Sequence, residues 1–355
     1  MFSRTLASAI LGLLVTTQAY AQAPKVAVDI APLHSLVAQV MDGVGEPDLL
    51  IRPEASPHSY SLRPSEAKAL SDADLVFWIG EGLTPWLEKP LENIAGSATK
   101  IEMMQVDGTT LYDFREGATF EAHSHDHHDE DHHDKHEEHT DHHHGDYDAH
   151  HNHNHDDAHK HHEEGHDHAE HHHDGHDCDC HHHDGQDPHV WLDPKNAQVW
   201  LASIADELSK VDAQNAQTYQ SNAKAAIARL DQLTKEIEQQ TSDLKEIKFI
   251  VFHDAYQYFE KRFGLQAAGA ISISDASDPS PARVEEIHQT VQNLKVTCVF
   301  TEPQFNPNLV NTVFEGSSVT AIGTMDPLGA NIATGKEQYT NLLKGMLKSV
   351  QQCQL

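Results

Sequence analysis

Eight short apolar runs of β-forming residues punctuate the chain, four on each side of a long polar stretch. Before that stretch stand KVAVDI near Val26, DLLI at Asp48, DLVFWI at Asp74 and TKIEM at Thr99; after it come FIVF at Phe249, AAGAISI at Ala267, VTCVFT at Val296 and SVTAIGT at Ser318. Segments with helical periodicity separate them, for instance Pro64 to Leu70 and Ala255 to Phe263. Strands alternating with helices are the pattern of a parallel sheet buried on both faces. The expected fold class is therefore α/β, with two lobes of similar build, each a roughly four-stranded parallel sheet flanked by helices.

One segment carries a different period. From Asp212 to Leu244 there is no Gly or Pro, and Ala216, Tyr219, Ala223, Ile227, Leu230, Leu233 and Ile237 recur at three-four spacing. That spacing places the apolar side chains on one face of a long helix. About 30 residues at 1.5 Å rise reach roughly 45 Å, longer than one lobe is wide, so the helix is expected to run along both lobes as a stiff connector. The expected organisation is an N-terminal lobe over 22–211, a linker helix over 212–244 and a C-terminal lobe over 245–355. Residues 1–21, with Arg4, an apolar run from Leu6 to Val15 and AYA ending at Ala21, read as a cleaved secretory signal. Its apolar run is too short to span a bilayer, so the mature chain is expected outside the cytoplasm, in the periplasm if the source is bacterial.

Composition divides the 355 residues more sharply than pattern does. Residues 123–183 hold 27 of the 32 histidines, interleaved with Asp and Glu and almost nothing apolar. Such a stretch buries too little surface to offset its ordering entropy and is expected to be a disordered insert in the N-terminal lobe. Between 123 and 187 lie 21 Asp and Glu against two Lys, which accounts for most of the net charge of −32. No basic stripe exists to meet phosphates, which argues against a nucleic-acid partner. Imidazoles among carboxylates offer overlapping weak sites for Zn²⁺, Cu²⁺ or Ni²⁺. His171, His172, His173, His176, His181, His182 and His183 are auxiliary ligands of this kind, with Cys178 and Cys180 as softer ones. In an oxidising compartment Cys298 and Cys353 are expected to pair, stapling the tail to a core strand.

Five histidines remain outside the tract: His34, His58, His189, His253 and His288. His34 opens the first helix and reads as packing or capping, and His288 falls at surface-helix spacing. The other three share a setting. His58 lies in a loop between a strand and a helix, His189 in a turn bracketed by Pro188 and Pro194, and His253 closes FIVF. In open parallel sheets ligands bind beyond the carboxyl ends of strands, where Asp326, in GTMDPLG, also falls. Three neutral imidazoles and a carboxylate make a tetrahedral zinc site. A solitary histidine is more often a hydrogen-bonded structural residue than a ligand; the shared placement of these three is what sets the metal reading beside the structural one. Glu302, in TEPQF, ends a strand nearby, where it would orient a metal-bound imidazole or cap a helix. Trp191, Trp86 and Tyr60 read as core or rim aromatics.

The motifs ASPHSYSLRPSEAKAL, DPHVWLDP, VFHDAYQYFEKRFGL, TEPQF and MDPLG, in this order around a histidine-rich insert, resemble the periplasmic solute-binding proteins of zinc-uptake ABC transporters, the metal-binding cluster A-I family. The resemblance covers nearly the whole chain outside the insert. It implies two four-stranded α/β lobes joined by a long helix, one zinc ion between them held by His58, His189 and His253, and an ABC permease in the inner membrane as partner of a monomer. Manganese-binding relatives place a carboxylate where this chain has His253, which favours zinc. Some zinc members carry Glu just before the first ligand; here that position is Pro57, leaving the fourth ligand to Asp326 or a water.

The resulting expectation is a non-enzymatic protein that captures zinc in one tight cleft site and delivers it to the importer, with the insert collecting or buffering metal. A periplasmic zinc hydrolase or hydratase is the rival from another class, since three histidines and an open position also describe catalytic zinc. The chain has no H-E-x-x-H helix and no assignable general base beside these ligands. A stand-alone metal buffer working through the tract would leave the two-lobed body unexplained.

Overall fold

The computed structural model describes residues 23–115, 120, 185–272, 279–296 and 298–305, then, with interruptions up to 320, the chain from 321 to 354. The signal segment and the histidine tract, including the loop ligands from His171 to His183 with Cys178 and Cys180, lie outside the described residues.

All eight apolar runs contain strands, and they form two parallel sheets of four. The first comprises β1 (Val26–Val28), β2 (Asp48–Leu49), β3 (Leu75–Trp78) and β4 (Thr99–Glu102) in the order β2-β1-β3-β4. The second comprises β5 (Phe249–His253), β6 (Ala267–Ser272), β7 (Cys298–Thr301) and β8 (Ala321–Thr324) in the order β6-β5-β7-β8. The two orders are the same. In each, the chain leaves the first strand toward one side and returns on the other, so the cleft at the carboxyl end of that strand is the topological switch point where ligands collect.

Eight α-helices connect these strands among the described residues: α1 (Ala31–Val40), α2 (Pro64–Asp72), α3 (Glu88–Asn93), α4 (Pro194–Val211), α5 (Ala216–Thr241), α6 (Gln257–Phe263), α7 (Pro281–Leu294) and α8 (Gln338–Gln352). Proline stands in the first turn of α1, α2, α4 and α7, where its missing N–H costs nothing and its fixed φ suits the helix. The connector α5 is 26 residues long, about 39 Å at helical rise. It starts later than its pattern suggests because the Asp212 carboxylate accepts from Asn215 and from Tyr219 Oη, which ties residues 212–215 into a turn. Tyr219, Ala223, Ala226, Leu230, Leu233 and Ile237 are its buried stripe. That stripe packs on α1 and α4 toward one lobe and on α6 and α8 toward the other.

The apolar cluster is continuous across both sheets, containing Phe77, Trp200, Phe249 and Phe300 alike, and a smaller cluster with Ile250, Phe252 and Val299 fills the other face of the second sheet. Along β5 the alternation of Phe249 and Val251 with Ile250 and Phe252 divides the strand between the two. Helix α8 returns from the C-terminal lobe to pack on α1: Ser35 Oγ donates to Lys336 O at 3.0 Å and accepts from Tyr339 N at 3.1 Å. Cys298 on β7 is disulfide-bonded to Cys353 at the end of α8. Shared core, connector and returning helix bind the lobes together more extensively than a single connector would.

The two ends of the insert meet. Asp113 bridges Gln186 in antiparallel fashion, Phe114 N donates to Gly185 O, and Asp187 N donates to Tyr112 O at 2.8 Å. Residues 112–114 and 185–187 thus lie on neighbouring backbones, and beyond them Arg115 still pairs with Asp254 and Phe120 N donates to Ala268 O.

Candidate metal centre

His189 follows two residues behind Asp187 in the turn of DPHVWLDP. The Asp187 carboxylate Oδ1 accepts from His189 N at 3.0 Å and lies 2.7 Å from its Nδ1, while Oδ2 accepts from Gln257 Nε2 at 3.1 Å. Burial pushes the Asp187 carboxyl up to about 6, against the lowering effect of those hydrogen bonds. The rest of the motif anchors the turn. Trp191 Nε1 donates to Pro327 O at 2.8 Å across to the other lobe, and Tyr339 Oη donates to Trp191 O at 2.6 Å. Asp193 caps α4 by accepting from Lys195 N and is paired with Arg262 of α6 through two bonds of 2.6 and 2.7 Å.

His253 is the last residue of β5, the central strand whose carboxyl end is the switch point. Glu302, immediately after the neighbouring β7, places Oε1 3.2 Å from His253 N and 2.8 Å from His253 Nδ1. Asp254, next in sequence, is paired with Arg115, whose Nη1 also donates to Glu260 Oε2 at 2.9 Å; burial raises the Asp254 carboxyl despite that partner. His58 comes from the N-terminal lobe on a loop rather than a strand. That loop is held by Trp86 Nε1, which donates to Pro57 O at 2.7 Å, and by Tyr60 Oη, which donates to Glu66 Oε1 at 2.9 Å. The expected rim aromatics therefore position the turns that carry His58 and His189.

The three imidazoles converge. Ring centroids lie 5.2 Å apart for His189 and His253, 5.5 Å for His58 and His189, and 6.4 Å for His58 and His253. The Nε2 atoms of His189 and His253 are 3.3 Å apart. One nitrogen from each of the three rings falls within 4.8 Å of the others, and among the described residues this is the one group with such convergence. Pro57, Trp191, Phe305, Pro327 and Leu328 wall the cavity, with Gln304 and Glu302 as its other polar lining. Since Nδ1–H of His189 and of His253 points at a carboxylate, each Nε2 lone pair is turned inward. Inward lone pairs between largely apolar walls suit a borderline-soft divalent cation.

Asp326 is not part of that group. Its Oδ1 accepts from Leu328 N and Gly329 N at 3.1 and 2.8 Å, and its Oδ2 from Ala330 N at 2.6 Å. It organises the MDPLG turn, in which Gly329 takes φ +75° and a Cβ would meet Gln338 Nε2 at 2.5 Å. Of the remaining histidines, His34 Nε2 lies 3.0 Å from Pro47 O, a packing role. His288 is half-buried rather than on the surface, its ring directed at Val313 O. Asp187, Gln304 and Arg115 escaped the sequence reading. Only Asp187 left a local signal there, a carboxylate two residues before a candidate ligand.

Two like α/β lobes with three imidazoles gathered between them are the layout of a solute-binding protein for a metal ion. The family model of the zinc-uptake complex component A, periplasmic (ZnuA), matches residues 26–353, and the chain belongs to that family. It is 44% identical over 328 residues to the high-affinity zinc uptake system protein ZnuA of Brucella abortus (strain 2308), covering 92% of this chain and 91% of the relative. It is 39% identical over 335 residues to the protein of the same name from Paracoccus denitrificans (strain Pd 1222), covering 94% and 93%. A crystal structure of a ZnuA shares the fold with a TM-score of 0.66 at 20% identity, over 93% of this chain and 98% of that one. The family is a binding component of zinc uptake, not an enzyme. Among the described residues no helix is long and apolar enough to cross a membrane.

Proposed function

We propose that this chain captures one zinc ion tightly between His58, His189 and His253 in the periplasm and hands it to the permease of an ABC importer. The observation that carries this reading is the convergence of three ring nitrogens within 4.8 Å, two of the rings being oriented by Asp187 and Glu302. Three neutral nitrogen donors favour zinc over manganese or magnesium, which prefer oxygen. The family and the names of its relatives support the same cargo and the same transport role. Glu302, the carboxylate lining the cavity, holds His253 through Oε1. The signal at 1–21 supplies export, and the insert at 123–183 acts as an auxiliary collector, its many imidazoles raising the local metal concentration.

Competition titration with a chromophoric zinc chelator tests this. The protein deleted for 123–183 retains one tight equivalent, and His58→Ala, His189→Ala or His253→Ala each weakens that equivalent by at least about 100-fold, as expected for loss of one of the protein ligands. If the deletion removes tight binding and the three substitutions do not, the body is not the site and the insert is.

A further inference from the structure

Three imidazoles leave one position of a tetrahedral zinc open. We propose that a water molecule fills it and that Gln304 holds this water through its side-chain carbonyl oxygen; the inference rests on the three-histidine site above. The carboxylate that the sequence nominates is already committed. Asp326 Oδ1 accepts from Leu328 N, Gly329 N and Gln304 Nε2, the last at 3.2 Å, and Oδ2 accepts from Ala330 N. Swinging it onto a metal would strip three main-chain donors of their acceptor and undo the MDPLG turn.

Gln304 offers what Asp326 does not. Its Nε2 faces two atoms that only accept, Asp326 Oδ1 at 3.2 Å and Pro53 O at 3.4 Å, so the nitrogen belongs on that side and the amide orientation follows from chemistry. Oε1 is the other branch of the amide. It is buried and has no hydrogen-bond partner among the described residues, and Gln304 lines the same cavity as His58, His189 and His253. A buried acceptor without a donor is costly and marks a missing partner. Because an amide oxygen brings no proton, its partner must carry one. Water on zinc qualifies, and is a better donor than bulk water because the metal acidifies it. Chloride and carboxylate do not qualify. Gln304 thereby selects the fourth ligand by hydrogen-bond polarity. Its other end contacts Pro53 O, on the loop that carries His58, so one side chain joins the fourth coordination position to both lobes.

The test combines a crystal structure of the zinc-loaded full chain with the variant Gln304→Leu, similar in shape and without polar atoms. The structure is expected to show an oxygen about 2.0–2.2 Å from zinc and about 2.7–3.0 Å from Gln304 Oε1. Gln304→Leu is expected to weaken zinc roughly tenfold, in the range for loss of a hydrogen bond to a metal's ligand, and to change the visible spectrum of the cobalt-substituted protein, which a purely structural role would leave alone. Direct coordination by Asp326 or Gln304, or a zinc-bound water out of reach of Oε1, overturns the proposal even if the variant fails to fold. An unchanged affinity and cobalt spectrum in a folded variant does so too. His58→Ala, run alongside, separates the two readings: if it leaves zinc binding intact, the three-histidine site itself is wrong; if it abolishes binding while Gln304→Leu does nothing, only the role of Gln304 fails.

Discussion

Glu302 Oε1 meets both the main-chain N–H and the ring Nδ1 of His253, at 3.2 and 2.8 Å. One carboxylate oxygen therefore fixes the position of the residue, the rotation of its ring and its tautomer together. Asp187 holds His189 by the same double contact. A carboxylate so placed also strengthens the imidazole as a donor, by stabilising the partial positive charge that metal binding puts on the ring. Glu302→Gln and Asp187→Asn should each weaken zinc 10–100-fold, in the usual range for such partners. Isothermal titration with the apo proteins checks this, and an affinity within twofold of wild type for both would leave the two carboxylates without influence on the metal.

Arg115 should matter to folding more than to zinc. Its guanidinium satisfies Asp254 and Glu260 at once and lies 3.7 Å above the ring of Phe120, in side chains that are 17%, 10% and 3% exposed for Arg115, Asp254 and Glu260. Removing the cation strands two buried carboxylates, a loss of roughly 3–5 kcal/mol. Chemical denaturation of Arg115→Ala measures it; a loss below about 1 kcal/mol would mean the carboxylates find water or protonate at little cost.

The disulfide closes a loop of 55 residues, worth about 4 kcal/mol in the chain-entropy account and roughly 2–4 kcal/mol in practice. The double variant Cys298→Ser with Cys353→Ser should lose that stability and keep its zinc affinity, because Cys298 opens β7 and Glu302 lies just past its other end. Denaturation and zinc titration on the same preparation separate the two effects.

Asp29 gives the body a dependence on pH that is independent of zinc. It sits at the end of β1 with 0% exposure, accepting from Ile30 N and Ile79 N at 2.7 Å each, and burial pushes its carboxyl up to about 7. The folded chain therefore keeps a proton that the unfolded chain has released above the ordinary carboxylate range. Its contribution to stability is greatest below about pH 4 and declines as pH rises to about 7, then levels off. Urea unfolding of the metal-free protein should show the stability of wild type relative to Asp29→Asn falling between about pH 4 and 7. A constant difference would mean that Asp29 ionises in the fold as easily as it does in the unfolded chain.

Strand and helix positions were legible because they repeat. Every apolar run predicted as a strand contains one, and of the predicted stripe Tyr219, Ala223, Leu230, Leu233 and Ile237 are buried on α5, while Ala216 and Ile227 are partly exposed. The three histidines were legible because strand ends and tight turns next to apolar runs are few, and because most other histidines fall in one stretch of low complexity. The partners of those histidines were legible only in part: Glu302 stood as a carboxylate for an imidazole or as a helix cap, and Asp187 was not singled out. Glu302 is 49 residues from His253 and reaches it only through the pairing of β5 with β7. Asp326 and Gln304 occupy equally plausible loops, and the difference between them is hydrogen bonding: one has its acceptors filled by its own turn, the other has an oxygen left over.

Local order thus fixes the architecture. Alternation and three-four spacing decide which face of each element is apolar, and parallel βα units leave few ways to bury those faces. The sequence by itself determined two like sheets, a connector and three histidines that the fold brings together. Only the tertiary structure decided that one apolar cluster spans both sheets, which carboxylate meets each of two imidazoles, and that an unpartnered amide oxygen belongs to a residue lining their cavity. Except for Asp187 with His189, two positions apart, these depend on contacts between residues dozens of positions apart, which packing sets and no linear pattern encodes.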